Sequence, residues 1–269
     1  MRNWHIQYEL CTNFSTNVKN HTFVLRSFPY RQACKDVRNL ECRVVPEAHQ
    51  QWSTDSFGNT MLTGRFLNEC ALFKVTVDFD VDIGYSMGVE ERRPDYAIGM
   101  FKCQSEYTRP GDNLKEFLTG LDFKTERSQV DLACYLMFEL YKHFTYVTGS
   151  TSIRYDAEQA FAQNCGVCQD FAHILLSLCR ARGLLVRYVA GAIPGEGQSH
   201  AWVEVLDQQQ DRWFGLDPTH NRICDDTYVP FAVGRDAQDC ALNRGVFLGM
   251  AQQQQYISLV MNENEGGAN

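Results

Sequence analysis

The chain has 269 residues, of which 44% are hydrophobic and 22% are charged. These values are typical of globular proteins and exclude an extended disordered chain, and the length allows one large domain or two modest ones. The formal net charge of −8, without a long run of Lys or Arg, argues against a nucleic-acid partner.

The first eight residues, MRNWHIQY, lack the uninterrupted apolar core of a signal peptide. No stretch has the length and apolarity of a membrane helix. We therefore expect a cytoplasmic protein with no membrane partner. The eleven cysteines are odd in number and irregularly spaced, which favours reduced thiols over a disulfide framework. The oligomeric state is left open.

Residues 1–88 are predicted to form a β-rich domain. Apolar and polar residues alternate in several short segments, most clearly over 73–83, and the run 55–59 is rich in turn-forming residues. Short strands separated by turns favour a small sandwich or half-barrel. Nothing in this region carries evident chemistry, so a structural role or a position at the substrate's edge is expected.

The next part of the chain is predicted to be mainly helical. Residues 89 to about 125 form a connector with local helix around 113–121. A helix is expected over 128–143, because Ser128 suits an N-cap and an apolar stripe follows it. A polar loop then leads to one or two helical turns at 156–162.

The stretch GVCQDFAH, residues 166–173, opens the most informative helix. Apolar residues follow at helical spacing, and these are Phe171, Ile174, Leu175 and Leu178. Cys168 should therefore lie in the first turn of a buried helix. Free backbone N–H groups and the helix dipole stabilise negative charge there, so a thiol can ionise well below its reference pKa of roughly 8.5.

Two strands are predicted to bring a base and a carboxylate to this thiol. The segment HAWVEV alternates apolar and polar residues and begins at His200, and the segment WFGLD ends at Asp217. The polar run 207–211 suits a turn between two antiparallel strands. A thiol at a helix start, facing a histidine oriented by a carboxylate, is the arrangement of thiol acyl-transfer enzymes.

The remaining segments receive simpler predictions. A strand is expected over 184–191, and the loop 192–199, with two glycines, could act as a lid before His200. Residues 221–245 are expected to be irregular. Two final strands, at 246–248 and 256–260, are expected to complete the sheet.

Several polar residues near Cys168 leave alternatives open. Cys165 and Cys168 form a C-x-x-C pair, which also occurs in thioredoxin-like redox sites and in zinc sites. A thioredoxin-like site is expected to have a strand just before it and a Trp or Pro nearby, and the sequence shows neither. A zinc site requires a second pair of ligands at suitable spacing, and none is found in the sequence. A regulatory disulfide between the two cysteines stays open. Gln163 or Asn164 could supply an oxyanion donor.

Two further histidines are expected to have no chemical role. His173 is five positions after Cys168, which is a poor match for the same helical face, so a structural role is expected. His220 follows Asp217 closely and is expected to line the cleft or cap a loop.

The ordered motifs GVCQDFAH, HAWVEV and WFGLDPTH resemble the transglutaminase-like superfamily in its bacterial branch, whose members are often described as candidate cysteine proteases. The resemblance is strong over about residues 140–225 and weaker in the β-rich region before them. It implies a Cys168–His200–Asp217 triad. It also implies a papain-like core, in which the nucleophile helix packs on an antiparallel sheet. That chemistry requires no metal or organic cofactor.

The sequence therefore predicts an α+β protein with a β-rich N-terminal domain at 1–88, a transglutaminase-like catalytic domain at 89–262 and a frayed tail at 263–269. The expected function is thiol-dependent cleavage of amide bonds in a peptide or protein substrate, as in a cysteine protease or amidase. Two alternatives are a transamidase that cross-links proteins and a non-catalytic binding module with the same fold.

Overall fold

A computed structural model describes residues 1–91, 98–123, 128–149 and 155–264. It contains a seven-stranded sheet, a six-stranded sheet and a short two-stranded pair, with the helices collected between residues 112 and 181. The α+β fold with a β-rich N-terminal region is confirmed. Part of the predicted connector, part of the loop before residue 156 and most of the predicted tail lie outside the described residues.

The elements follow one another along the chain with these bounds. The strands are β1 (Arg2–Leu25), β2 (Cys34–Val45), β3 (His49–Thr54), β4 (Thr60–Phe66), β5 (Cys70–Ile83), β6 (Val89–Glu90), β7 (Thr145–Tyr146), β8 (Cys165–Gly166), β9 (Val186–Ala192), β10 (His200–Asp207), β11 (Arg212–Asp217), β12 (Arg222–Ile223), β13 (Val229–Gly234), β14 (Asn243–Leu248) and β15 (Gln253–Glu263). The α-helices are α1 (Asp112–Gly120), α2 (Gln129–His143), α3 (Ala157–Ala162) and α4 (Cys168–Ala181). Short 3₁₀ turns cover 31–33, 85–87 and 99–102.

The seven-stranded sheet is built on the long strand β1. Its first half pairs with β5 on one side and β15 on the other, and its second half pairs with β4 and β14. The register shifts between Asn13 and Val18, where the strand passes from one set of partners to the other. Alternate side chains of its first half, Trp4, Ile6, Tyr8 and Leu10, are buried, as the sequence pattern predicts.

The last two strands were expected to complete the sheet that carries His200 and Asp217, and that expectation is wrong. β14 and β15 pair with β1 instead, with Phe14 opposite Gln253 and Trp4 opposite Glu263. Alternation identifies a strand but does not identify a partner that is more than 200 residues away in the chain. The domain boundaries at 88 and 262 stay predictions.

The second sheet has the order β12–β11–β10–β9–β13, with β6 added at the edge of β11, and its neighbours are antiparallel. Helices α4 and α2 pack on β10, and α4 also packs on β9. The apolar face of α4, including Phe171 and Leu175, is fully buried in this core. The helix that begins at Cys168 therefore packs on an antiparallel sheet, as predicted.

Residues 221–245 were expected to be irregular, but they contain β12 and the buried strand β13. The run 229–234 is buried on both faces and so lacks the alternation that identifies a half-buried strand. Pro230 fits there because β13 lies at the edge of its sheet, and the register shifts between Pro230 and Ala232.

The helix starts follow their capping residues. The Ser128 hydroxyl accepts from the Asp131 N–H at 3.1 Å before α2, and the Asp156 carboxylate accepts from the Gln159 N–H at 2.7 Å before α3. Both helices were predicted from the sequence. In the described part of the chain, no helix is long and apolar enough to cross a membrane.

Candidate active site

Cys168 is the first residue of α4 and is partly exposed. The turn before it is held by the Asp170 carboxylate, which accepts from the Val167 N–H at 2.8 Å. Gly166 makes this turn possible. A Cβ at that position would lie 2.6 Å from the Asp170 carboxylate and 2.9 Å from the Phe144 ring. The thiol therefore stands at the positive end of the α4 dipole.

His200 is the first residue of β10 and is 3% exposed. It pairs with Gly191 of β9, and the Trp202 ring lies at 25° to the imidazole with a centroid distance of 6.2 Å. The loop before it was predicted to be a flexible segment that could act as a lid, and its Gly197 carbonyl accepts from the Leu259 N–H of β15 at 2.9 Å. The strand from the end of the chain thus anchors the loop that delivers His200.

Asp217 is the last residue of β11 and is fully buried. Its Oδ2 accepts from His200 Nε2 at 2.9 Å, from His220 Nδ1 at 2.7 Å and from the Tyr228 hydroxyl at 2.7 Å. Its Oδ1 accepts from the Thr219 N–H at 2.9 Å. Both carboxylate oxygens are therefore hydrogen-bonded to the protein, which fixes the orientation of the Asp217 side chain.

His200 links the three residues. Its Nε2 is hydrogen-bonded to Asp217 Oδ2 at 2.9 Å, and an interaction with the Cys168 side chain contributes to the raised pKa of His200. Because Nε2 is engaged by the carboxylate, Nδ1 is the ring nitrogen left for the thiol. An ionised Asp217 can only accept, so Nε2 carries its proton and Nδ1 is free to take another.

The environment favours a charged imidazole beside an ionised carboxylate. Burial opposes the charge on His200, but the hydrogen bonds to Asp217 and Cys168 outweigh it and raise the pKa of His200 to about 10. Burial also opposes the charge on Asp217, yet the hydrogen bonds from His200, His220 and Tyr228 hold its pKa well below the usual range.

A second row of polar groups supports the tryptophan that lies against His200. The indole N–H of Trp202 donates to the Tyr85 hydroxyl at 2.8 Å, and that hydroxyl donates to Glu204. Glu204 in turn accepts from the buried guanidinium of Arg187. The ring of Trp202 therefore cannot rotate without breaking a buried hydrogen bond.

The other residues singled out from the sequence have different positions. His173 is fully buried, accepts from the Ala237 N–H at 3.1 Å, and has a pKa lowered by burial to about 4, as a structural residue would. Gln163 and Asn164 are exposed, with Asn164 in the left-handed region at φ 56°. Their role as oxyanion donors stays a prediction.

The structure does not support a zinc site or a disulfide at Cys165. Both Cys165 and Cys168 are free thiols. Among the described residues, the group whose ligand atoms converge within 4.8 Å is His200, Asp217 and His220, without either cysteine. Since Asp217 Oδ2 already accepts three hydrogen bonds there, we interpret this group as a hydrogen-bonded cluster.

Sequence reasoning missed two of the groups around Asp217. Tyr228 carries no motif, and only the fold brings it 2.7 Å from the carboxylate. His220 was noted, but its bond to Asp217 was not predicted. Its spacing of three residues after Asp217 was the available signal, because a turn follows the end of β11.

Two regions of the chain match models of known families. Residues 121–218 match the transglutaminase-like superfamily, and residues 4–82 match the bacterial transglutaminase-like N-terminal region. Over these two regions the chain is similar to the transglutaminase-like superfamily and its bacterial branch.

Individual relatives extend the comparison. The chain is 35% identical over 149 residues to the protein Mb2599c of Mycobacterium bovis, a match that covers 50% of this chain and 47% of that protein. It is 36% identical over 114 residues to ML0607 of Mycobacterium leprae, covering 39% and 40% of the two chains. These matches span less than half the length of the curated relatives.

One solved structure shares the whole fold. A candidate cysteine protease from Cytophaga hutchinsonii superposes with a TM-score of 0.80, covering 100% of this chain and 92% of that chain at 20% identity. At this identity the likeness concerns the fold.

Proposed function

We propose that this protein is a thiol-dependent acyl-transfer enzyme that cleaves amide bonds, with Cys168 as nucleophile, His200 as general base and acid, and Asp217 as orienter. The observation that carries the proposal is the buried 2.9 Å hydrogen bond between His200 Nε2 and Asp217 Oδ2, together with the interaction of His200 with the Cys168 side chain at the start of α4. The superfamily match over residues 121–218 supports the same class of chemistry.

The proposed reaction has two halves. Nδ1 of His200 takes the proton of the Cys168 thiol, the sulfur attacks the carbonyl carbon of the amide, and the amine leaves with the proton that His200 returns. A thioester remains on Cys168. Water, deprotonated by the same imidazole, then attacks the thioester carbonyl, and the acid product leaves as Cys168 regains its proton.

Asp217 and its neighbours make this cycle possible by holding His200. Nε2 of His200 is fixed by Asp217, so Nδ1 keeps facing the sulfur. Tyr228 and His220 keep the carboxylate in place, and the Trp202 ring covers the imidazole. These residues position the base and do not contact the reacting atoms.

The substrate is proposed to be a peptide or protein amide. An amine could replace water as the second acceptor, which would make the protein a transamidase, and both reactions pass through the same thioester. Two assays on casein distinguish these activities. A hydrolase should release peptide fragments from casein, whereas a transamidase should incorporate the amine dansylcadaverine into it. Replacement of Cys168 by Ala should abolish whichever activity is present.

Thiol reactivity tests the proposed nucleophile without knowledge of the substrate. Cys103 is an exposed cysteine in the same chain and serves as an internal control. We expect iodoacetamide to alkylate Cys168 at least tenfold faster than Cys103 at pH 7, since an imidazolium beside a thiol favours the reactive thiolate. His200→Ala should remove that advantage and leave the Cys103 rate as it was.

Equal rates at Cys168 and Cys103 in the wild-type protein would contradict the proposal and favour the non-catalytic binding module. The same conclusion would follow if His200→Ala left the Cys168 rate unaltered. Mass spectrometry of tryptic peptides assigns the alkylated cysteine in each case.

A further inference from the structure

A cavity of about 650 Å³ lies between the seven-stranded sheet and the core that carries the proposed triad. Gln169 and Ser199, the chain neighbours of Cys168 and His200, form part of its wall. Tyr188 also lines the cavity, and Cys168 is close enough to raise the pKa of its hydroxyl, after the larger effect of burial. The cavity therefore adjoins the two segments that carry Cys168 and His200, and it has the volume of a typical small-ligand pocket.

The opposite wall comes from strands outside the triad-bearing sheet. Tyr8 of β1, Arg244 of β14, and Gln255 and Ile257 of β15 contribute to it. This is the wall that the unexpected pairing of β14 and β15 with β1 creates. The N-terminal region thus reaches the edge of the proposed active site.

Charge in the cavity is one-sided. Among the described residues that line it, Arg244 is the charged one, in a protein whose net charge is −8. The acidic residues of the neighbouring loop do not reach the cavity wall: Asp239 is paired with Arg235, and Asp236 is buried. Arg244 is exposed, and it donates to the Gln238 carbonyl, which leaves further N–H groups for a ligand.

Tyr8 supplies a second donor. Its side chain is 1% exposed, lines the cavity, and has a hydroxyl without a hydrogen-bond partner. Burial raises the pKa of Tyr8, so the phenol stays protonated and can donate. A buried hydroxyl without a partner is unfavourable for the free protein, and an acceptor entering the cavity would satisfy it.

We propose that this cavity selects substrates with a carboxylate-bearing residue next to the cleaved amide, held by the Arg244 guanidinium and the Tyr8 hydroxyl. This inference rests on the proposed function, since it names a substrate class for the same sulfur. A guanidinium and a neutral phenol both donate, and an acidic side chain offers acceptors to both. A basic side chain would leave the Tyr8 hydroxyl unpaired and face Arg244 with like charge.

Matched alkylating reagents test the preference at the sulfur itself. Bromoacetyl-glutamate amide, bromoacetyl-glutamine amide and bromoacetyl-lysine amide carry the same reactive carbon and differ in the side chain. In the wild-type protein, we expect the glutamate reagent to alkylate Cys168 at about ten times the rate of the glutamine reagent. A charge-assisted hydrogen bond would give a difference of this size. The ratio should shrink in 0.5 M salt.

Four variants locate the preference. Arg244→Gln should bring the glutamate-to-glutamine ratio close to one, and Arg244→Lys should keep part of it. Arg244→Glu should reverse the order in favour of the lysine reagent, which a folding defect would not do. Tyr8→Phe should lower the ratio severalfold while leaving the free energy of unfolding equal or higher, because it removes an unpaired buried hydroxyl.

Arg43→Gln is the control, since it removes the same charge from an exposed position on β2 and should keep the wild-type ratio. A wild-type ratio near one, or a ratio that Arg244→Gln and Arg244→Glu leave unaltered, overturns the subsite. The iodoacetamide rate at Cys168 distinguishes the two proposals. Fast reaction with iodoacetamide but no charge preference refutes the subsite alone, and slow reaction refutes the nucleophile.

Discussion

The carboxylate of Asp217 is the most heavily hydrogen-bonded group of the proposed site. Three side-chain donors converge on its Oδ2 within 2.9 Å, from His200, His220 and Tyr228. A buried charge is tolerated only when such partners replace water. The cluster therefore accounts for two properties together: Asp217 stays ionised although it is fully buried, and His200 keeps one orientation.

The pKa of His200 makes the stability of the protein depend on pH. The pKa is raised from the ordinary value of 6.5 to about 10 in the folded protein, so the folded state binds the imidazole proton more tightly than the unfolded state. The resulting stabilisation is complete below pH 6.5 and is lost as the pH rises through 10. We expect the wild-type free energy of unfolding to fall by a few kcal/mol, on the order of 3, over this window.

Urea unfolding of the wild type and of His200→Gln at pH 6.5, 8 and 10 measures this dependence. The difference between the two proteins isolates His200 from the cysteines and tyrosines that also titrate. The wild-type advantage should be largest at pH 6.5 and smallest at pH 10. A difference that is constant with pH would show that His200 does not keep its proton in the folded protein.

At the scale of elements, the site depends on where three elements begin or end. Cys168 begins α4, His200 begins β10 and Asp217 ends β11. β10 and β11 are antiparallel neighbours, so the start of one lies beside the end of the other. Backbone geometry thus places the base and its orienter at one edge of the sheet, where α4 presents the sulfur.

The backbone behind His200 is crowded. Gly191 of β9 lies directly opposite His200, and a Cβ at this position would be 2.2 Å from the Val229 carbonyl and 2.5 Å from the Trp202 ring. Backbone cannot move away as a flexible side chain can. We expect Gly191→Ala to lower the free energy of unfolding by about 1–3 kcal/mol or more and to slow alkylation of Cys168, because His200 would shift.

Gly120→Ala provides the matched control. Gly120 ends α1, and a Cβ there would meet nothing within 4 Å. Thermal unfolding and the iodoacetamide rate should show little change for this variant. A Gly191→Ala protein that unfolds and reacts like Gly120→Ala would contradict the close packing of β9, β10 and β13.

An element could be predicted from the sequence when its pattern of apolar residues lies within the element itself. The start of α4 is marked by an apolar stripe that the helix itself buries, and β10 shows alternation beginning at His200. Their bounds were therefore accessible from the sequence. β13 was not, because the run 229–234 is buried on both faces and contains Pro230. The hydrogen-bond partners of Asp217 could be predicted only in part, since Tyr228 is brought to the carboxylate by the fold.

Over the whole molecule, the two large sheets share a hydrophobic cluster, and a second cluster packs the helices on the sheet that carries His200 and Asp217. Buried residues from both sheets belong to the shared cluster, and the rings of Phe79 in β5 and Phe231 in β13 lie 6.0 Å apart with one edge-on to the other. The pairing of β14 and β15 with β1 also means that the beginning and end of the described chain lie side by side. This pairing could not be predicted from the sequence, because cross-strand partners at such separation leave no periodic signal.

The buried guanidinium of Arg187 lies beside this shared cluster. It is fully buried, donates to Glu204 and Glu91, and lies 4.2 Å above the centroid of Trp213. Glu91 also accepts from the Tyr30 hydroxyl at 2.8 Å, so the network reaches the chain segment between β1 and β2. The charges in this network depend on one another, since all three side chains are buried.

Arg187→Met tests whether the molecule unfolds as one unit. Removing one member of a buried ionic network leaves the other charges without a partner, so we expect the free energy of unfolding to fall by roughly 3–5 kcal/mol. Tryptophan fluorescence and far-ultraviolet circular dichroism should report the same urea midpoint, because the two large sheets share a hydrophobic cluster. Arg38→Gln, which breaks an exposed ion pair with Asp82, should cost less than about 1 kcal/mol. Two separate transitions, or an equal cost for the two variants, would mean that the sheets are held together by something other than this cluster.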